Sequence, residues 1–345
     1  MASGAHAQGP PARPASVPAV VMAGDRGAAR AVRGQSKVFL ELGGRALVAH
    51  VVSVLQRVPE VSEVWVVGDA ERLRAALEPL AAELVKPLHL VEQFRNLYEN
   101  AWETYRRLLP GAGSEGRDPA SGADRDVRVL YLSGDLPFAT PQEVSAFVRR
   151  GLALDCDYAI GFVAEEALRG FQPRGPDAPG IAPALFNVSE GRVRQSNLHL
   201  VRPARIGNRH YVQEMYEHRH QKQFGNMLAL GWRIVRDERG GPSIAFYYLL
   251  MHAAAVADRW GWRRVADWLR ARVPVQRVEI AVGRLLRTSF RLVVTEGGGC
   301  AIDIDRDEEY EAARVRFEEW REAQRERAQQ LYGPPALPPG SGLPR

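Results

Sequence analysis

Apolar positions in this chain keep two periods that alternate along it. Val17–Met22 is a short apolar run that predicts a buried strand. Ala46–Gln56 has helical spacing, Glu63–Val67 reads as a strand, Ala70–Leu84 as a helix and Leu88–Val91 as a short strand. A helix is expected over about 96–109, then a flexible surface loop of glycine, serine and charges over Gly111–Asp126. Val127–Leu132 reads as a strand covered on both faces. The helix from 141 to about 150 carries its own start signals: Thr140 as N-cap, Pro141 at the first helical position and Glu143 closing a capping box. Tyr158–Val163 is the next strand. Repeated strand–helix units of this kind imply an α/β fold with a mostly parallel sheet and helices on both faces.

The pattern changes after residue 165. Ala182–Val188 and Val193–Val201 predict a hairpin turning at Ser189-Glu190-Gly191. Helices follow at about 210–230, 243–258 and 260–272. Phe290–Thr295 returns as a strand and Ala301–Asp305 as a short extended piece. A long amphipathic helix over 308–330 then sets Tyr310, Ala313, Phe317 and Trp320 on one face. The return to strand and helix predicts one domain over 17–330, with a mainly helical insertion at about 205–272. Residues 1–16 and 331–345 are Pro/Gly-rich and are expected to be disordered.

Composition narrows the function. The 345 residues are 46% hydrophobic, ample for a core. Two cysteines far apart, Cys156 and Cys300, exclude a disulfide framework and a zinc pattern, so a reducing cytoplasm is expected. The first residues show no signal-peptide pattern, and the longest apolar run, Ile244–Ala257, is broken by His252 and too short to span a bilayer. A net charge of +5 comes from scattered basic residues, which suits anionic small substrates better than specific nucleic-acid binding. Trp260, Trp262 and Trp268 interleave with arginines; the expectation is an amphipathic helix packing its tryptophans on the sheet, with a membrane surface or single-stranded nucleic acid as the other reading.

Gly134-Asp135-Leu136-Pro137 puts a carboxylate just past a buried strand, and Thr140 already caps the following helix. Ligands in open α/β sheets gather outside the carboxyl ends of strands, where an acid can hold a divalent metal on a phosphorylated ligand. The first strand runs into Ala23-Gly24-Asp25-Arg26-Gly27, a turn whose backbone amides could approach phosphate; its spacing matches neither a Walker loop nor a dinucleotide fingerprint. Lys37 follows, one of three lysines in an arginine-rich chain.

Strand, Met-Ala-Gly, loop, Lys37 and Gly44-Arg45 before a helix together resemble the MobA-like nucleotidyltransferases, a family with the GT-A-like fold of sugar-phosphate nucleotidyltransferases and cytidylyltransferases. Gly134-Asp135-Leu136-Pro137 and Ile302-Asp303-Ile304-Asp305 extend the resemblance. The chain departs from the family pattern at Asp25, Ala29, Ala46 and Arg306-Asp307.

The resemblance implies a magnesium-dependent transfer of a nucleotidyl group from a nucleoside triphosphate to a phosphorylated small molecule. Lys37 would stabilise charge on the α-phosphate. Asp135, Asp305 and Asp303 would hold Mg²⁺, the last two pointing to one side of an extended piece while Ile302 and Ile304 point inward. The other reading of Asp305 is an N-cap for the last helix. Ala23, Gly24, Arg26, Gly27 and Arg30 would line the triphosphate, and Asn96 and Asn100, with Gln93 nearby, would contact the nucleoside; polar residues at a helix start are the alternative. The acceptor would meet the middle region: Asn197, the His210/Glu214/His218 face, Arg219 and Lys222. Two rivals are a glycosyltransferase using a nucleotide-sugar and a non-catalytic nucleotide-binding protein of this fold.

Overall fold

The computed structural model describes residues 16–26, 31–175, 177–209 and 241–335. The strands of its main sheet are β1 (Val17–Ala23), β2 (Val61–Gly68), β3 (Leu88–Glu92), β4 (Val129–Ser133), β5 (Tyr158–Ala164), β6 (Phe186–Val188), β7 (Gly191–Val201) and β8 (Phe290–Thr295). They form one sheet in the order β8-β5-β7-β4-β1-β2-β3, with β6 paired to β7. The β4-β1-β2-β3 run and the β8-β5 pair are parallel, whereas β7 is antiparallel to both β4 and β5. The expected hairpin thus delivers a long strand into the middle of a mostly parallel sheet.

Alternation along β1 explains its central place. Ala19, Val21 and Ala23 join one core with α1 (Leu47–Gln56), α2 (Ala70–Leu77) and α5 (Pro141–Ala153). Val20 faces the opposite core, where Tyr105 of α3 (Leu97–Leu108) packs.

Several elements differ from the pattern reading. The expected helix over 70–84 ends as α helix at Leu77 and continues as a 3₁₀ segment, Glu78–Glu83, where Pro79 removes an amide donor. The loop over 111–126 contains a one-turn helix, α4 (Gly122–Asp126). There the buried Asp124 carboxylate binds the Arg117 guanidinium, at 2.7 and 2.8 Å, and the amides of Ala120 and Ser121. Only half of the capping box at α5 forms: Thr140 accepts from the Glu143 amide at 3.4 Å, but the Glu143 carboxylate turns elsewhere.

In the insertion, α6 (Gly241–Arg259) and α7 (Arg263–Arg270) are described; 210–240 lies outside the described residues. Trp260, Trp262 and Trp268 do not pack on the sheet: they are 66%, 55% and 56% exposed. The two helices bury their alanines, Ala254, Ala257 and Ala266, which leaves the tryptophans on the outside. A further helix, α8 (Val275–Leu286), precedes β8.

The last helix is two, α9 (Asp307–Val315) and α10 (Phe317–Tyr332). They break at buried Arg316, whose guanidinium donates to the carbonyls of Gly170, Gln172 and Pro179 and binds Glu319. α10 continues two residues past the expected end of the domain, and the Tyr332 hydroxyl accepts from the Glu296 amide.

Candidate active site

The strand order reverses at β1, whose neighbours are β2 on one side and β4 on the other. The crevice outside their carboxyl ends is therefore the place where this architecture admits ligands. Gly134 donates its amide to Met22 O at 3.0 Å and ties the two strand ends together. Asp135 comes next and is fully buried. Its Oδ1 accepts from the Ser133 hydroxyl, and its Oδ2 is ion-paired with Lys37 Nζ at 2.5 Å.

Lys37 opens a short 3₁₀ turn, Lys37–Phe39, anchored by buried Val38. Its ammonium also donates to Asp305 Oδ1 at 2.5 Å. Asp303 and Asp305 are presented as their spacing predicts: Ile302 and Ile304 are fully buried, and the acids between and beyond them turn to the crevice. One oxygen from each of Asp135, Asp303 and Asp305 lies within 4.8 Å of the others. Asp305 is not a helix cap; Arg306 occupies that position without a side-chain bond, and the Asp305 amide donates to Glu309.

Two further residues, not singled out as site residues by the sequence, hold this cluster. Arg194 of β7 donates from Nε to Ala301 O at 2.7 Å and from its other nitrogen to Asp303 at 2.5 Å. Glu143, fully buried, accepts from the amides of Gly298 at 2.9 Å and Cys300 at 3.1 Å, fixing the turn that leads into Ile302–Asp305. In sequence, Glu143 reads as a capping residue, and Arg194 is simply one position of the strand predicted over Val193–Val201. Only tertiary structure turns them to the cluster.

Charge is concentrated here. Burial works against the Lys37 ammonium, but Asp135 and Asp305 outweigh it and hold its pKa above the usual lysine range. Burial, together with the charges of Asp135 and Asp305, pushes Asp303 up to about 6, against the pull of Arg194 and Lys37. Three carboxylates facing two cations suit a small divalent ion. The donors are hard carboxylate oxygens from three acids gathered within 4.8 Å, so the set fits Mg²⁺.

The first loop is arranged differently. Gln93 Oε1 accepts from the amides of Asp25 at 2.8 Å and Arg26 at 3.3 Å, while Gln93 Nε2 donates to Asp25 Oδ1. Those two amides are thereby engaged within the protein. Arg26 turns to the end of β3, donating to Gln93 O and pairing with Glu92. Asp25 faces Arg72 at 3.3 Å. Ala23 is fully buried, and Gly24 is required by close packing, because a Cβ there would lie 2.5 Å from Asn100 Nδ2. Asn100 accepts from the Phe94 amide and Asn96 caps α3 through the Glu99 amide, so both shape the loop's support. Asn197 lies within the irregular stretch of β7 between Gln195 and His199. Gly27, Arg30, His210, Glu214, His218, Arg219 and Lys222 lie outside the described residues.

Residues 19–174 match the MobA-like NTP transferase domain. The 2-C-methyl-D-erythritol 4-phosphate cytidylyltransferase of Chlorobium luteolum is 26% identical over 118 residues, which are 34% of this chain and 46% of that protein. The chain thus spans about half the length of the curated relative it matches. A hypothetical transferase from Thermus thermophilus superposes with a TM-score of 0.55 at 20% identity, over 85% of this chain and 99% of that one, so the two share the fold. Lys37 and Asp135, seated at the switch point of that fold, both fall within the stretch that matches the MobA-like NTP transferase domain.

Proposed function

We propose that the protein transfers a nucleotidyl group from a nucleoside triphosphate to a sugar or polyol phosphate, releasing pyrophosphate. The observation that carries this reading is the meeting of Lys37 with Asp135, Asp303 and Asp305 at the switch point. An acceptor phosphate oxygen forms a bond to the α-phosphorus, and the bond from that phosphorus to the bridging oxygen breaks, its electron pair leaving with pyrophosphate. The nucleophile is already ionised, so the chain's task is positioning and charge neutralisation.

Asp135 and Asp305 would hold Mg²⁺, with Asp303 as the third acid steadied by Arg194. The ion, when bound, supplies Lewis-acid neutralisation of the phosphate oxygens. Lys37 carries a positive charge that can turn from the carboxylates to the α-phosphate. With the Asp25 and Arg26 amides engaged by Gln93, Lys37 takes a larger part in gripping the triphosphate.

The relative named for cytidylyl transfer to 2-C-methyl-D-erythritol 4-phosphate makes CTP and a polyol phosphate the first pair to try. The test is pyrophosphate release measured with each of the four nucleoside triphosphates, a panel of phosphorylated acceptors, and Mg²⁺ present or withheld. Release that needs one triphosphate, one acceptor and Mg²⁺ is expected. No release from any pair, with transfer from a nucleotide-sugar instead, would overturn the reading in favour of a glycosyltransferase.

A further inference from the structure

Helix α6 is apolar on two sides, and the sheet covers one. Tyr247, Leu250 and Met251 pack with Val188 of β6 and Val193 of β7. At 3.6 residues per turn, Phe246, Leu249, Val256 and Trp260 run along the opposite side, and they are 53%, 66%, 42% and 66% exposed. A helix apolar all round is normally a buried one, so this outer stripe is built to be covered. Trp262 and the Val265/Trp268 pair of α7 extend it.

The rim is cationic. Asp258 and Asp267, the carboxylates of α6 and α7, are both bound by Arg270. Arg259, Arg263 and Arg264 are exposed and meet no acid among the described residues. Arg272 stacks on the Trp268 ring at 3.3 Å. A second copy across a two-fold axis would bring these like charges together. An anionic bilayer satisfies both halves of the patch, with tryptophan rings at headgroup level and arginines against lipid phosphates.

We propose that α6 and α7 form a docking surface for an anionic lipid bilayer, with Phe246, Leu249, Val256 and Trp260 inserted and Arg259, Arg263 and Arg264 at the headgroups. Among the described residues no helix is long and apolar enough to cross a membrane, so α6 lies along the surface. Because α6 packs on β7, the strand that carries Arg194, docking would hold the crevice beside the bilayer.

The test is co-sedimentation of the full chain with vesicles of phosphatidylcholine alone or mixed with phosphatidylglycerol, at low and high salt, with tryptophan quenching by brominated lipid as a second readout. Binding is expected only to the anionic vesicles, weakened by salt and accompanied by quenching. The Arg263→Ala/Arg264→Ala variant should lose about tenfold or more in partitioning, since each arginine near the surface contributes about 1 kcal/mol. Trp260→Ala/Trp268→Ala should lose the quenching while retaining the far-UV spectrum. The proposal is overturned if the wild type stays in the supernatant or binds neutral vesicles equally. It is likewise overturned if sedimentation velocity finds a dimer that Leu249→Glu dissolves and that ignores vesicles.

Discussion

The acid cluster and the first loop face the same crevice but are built on opposite principles. The cluster gathers side chains from three distant segments, each locked by buried neighbours: Lys37 by Val38, Asp135 by its strand end, Asp303 and Asp305 by Ile302 and Ile304. Its three carboxylates meet two cations, Lys37 and Arg194, and this net negative charge suits an added cation. The described start of the first loop is engaged within the protein, with Gln93 taking the Asp25 and Arg26 amides and Glu92 pairing with Arg26. On the proposed function, ion binding would fall to the cluster, and the loop would serve as a wall beside the nucleotide.

Substitutions separate the two. Asp135→Asn keeps the shape and removes the charge; kcat for pyrophosphate release should fall on the order of 10³-fold with little change in thermal stability. Lys37→Ala should cost about 10²-fold in the same assay. Glu143→Ala leaves the amides of Gly298 and Cys300 unpaired in the interior, and urea unfolding should show a loss of about 3 kcal/mol.

Acidity offers a third handle. Between its ordinary 3.8 and about 6, Asp303 holds a proton in the folded chain and has lost it in the unfolded one. The metal-free protein should therefore lose about 3 kcal/mol of stability as pH rises through that window. Thermal melts in chelator at stepped pH check the sign; magnesium should remove most of this loss.

Two smaller effects sharpen the contrast. Lys37→Met frees the carboxylates from their internal cation, so Mn²⁺ binding without nucleotide, followed by electron paramagnetic resonance, should tighten about tenfold even as turnover collapses. Gln93→Leu releases the loop and should raise KM for the triphosphate about fivefold, with kcat nearly unchanged.

Much of this was legible in the sequence, and the reason differs by residue. β1, β4 and β8 are apolar runs of strand length, and periodicity reveals them whatever surrounds them. Asp135 was visible because Thr140 already supplied the helix cap, and the Asp303/Asp305 pair because alternation sends both acids one way. Glu143 was misread as the partner of its own cap because local spacing carries no information about a turn more than 150 residues later. The tryptophans were misplaced for a related reason: helical spacing shows that a face is apolar but not which face meets the sheet, a place taken here by Tyr247, Leu250 and Met251. Helix α8 was passed over although Val275, Val278, Ala281, Val282 and Leu285 recur at helical intervals.

The central claim is that Asp135, with Asp305, couples nucleotide binding to a divalent cation. Titration calorimetry of the preferred triphosphate, with and without Mg²⁺, tests it on the wild type and on Asp135→Asn. The account predicts that Mg²⁺ tightens binding to the wild type by about tenfold or more and leaves the variant's weaker affinity unchanged. A variant that keeps the full magnesium-dependent gain would contradict it.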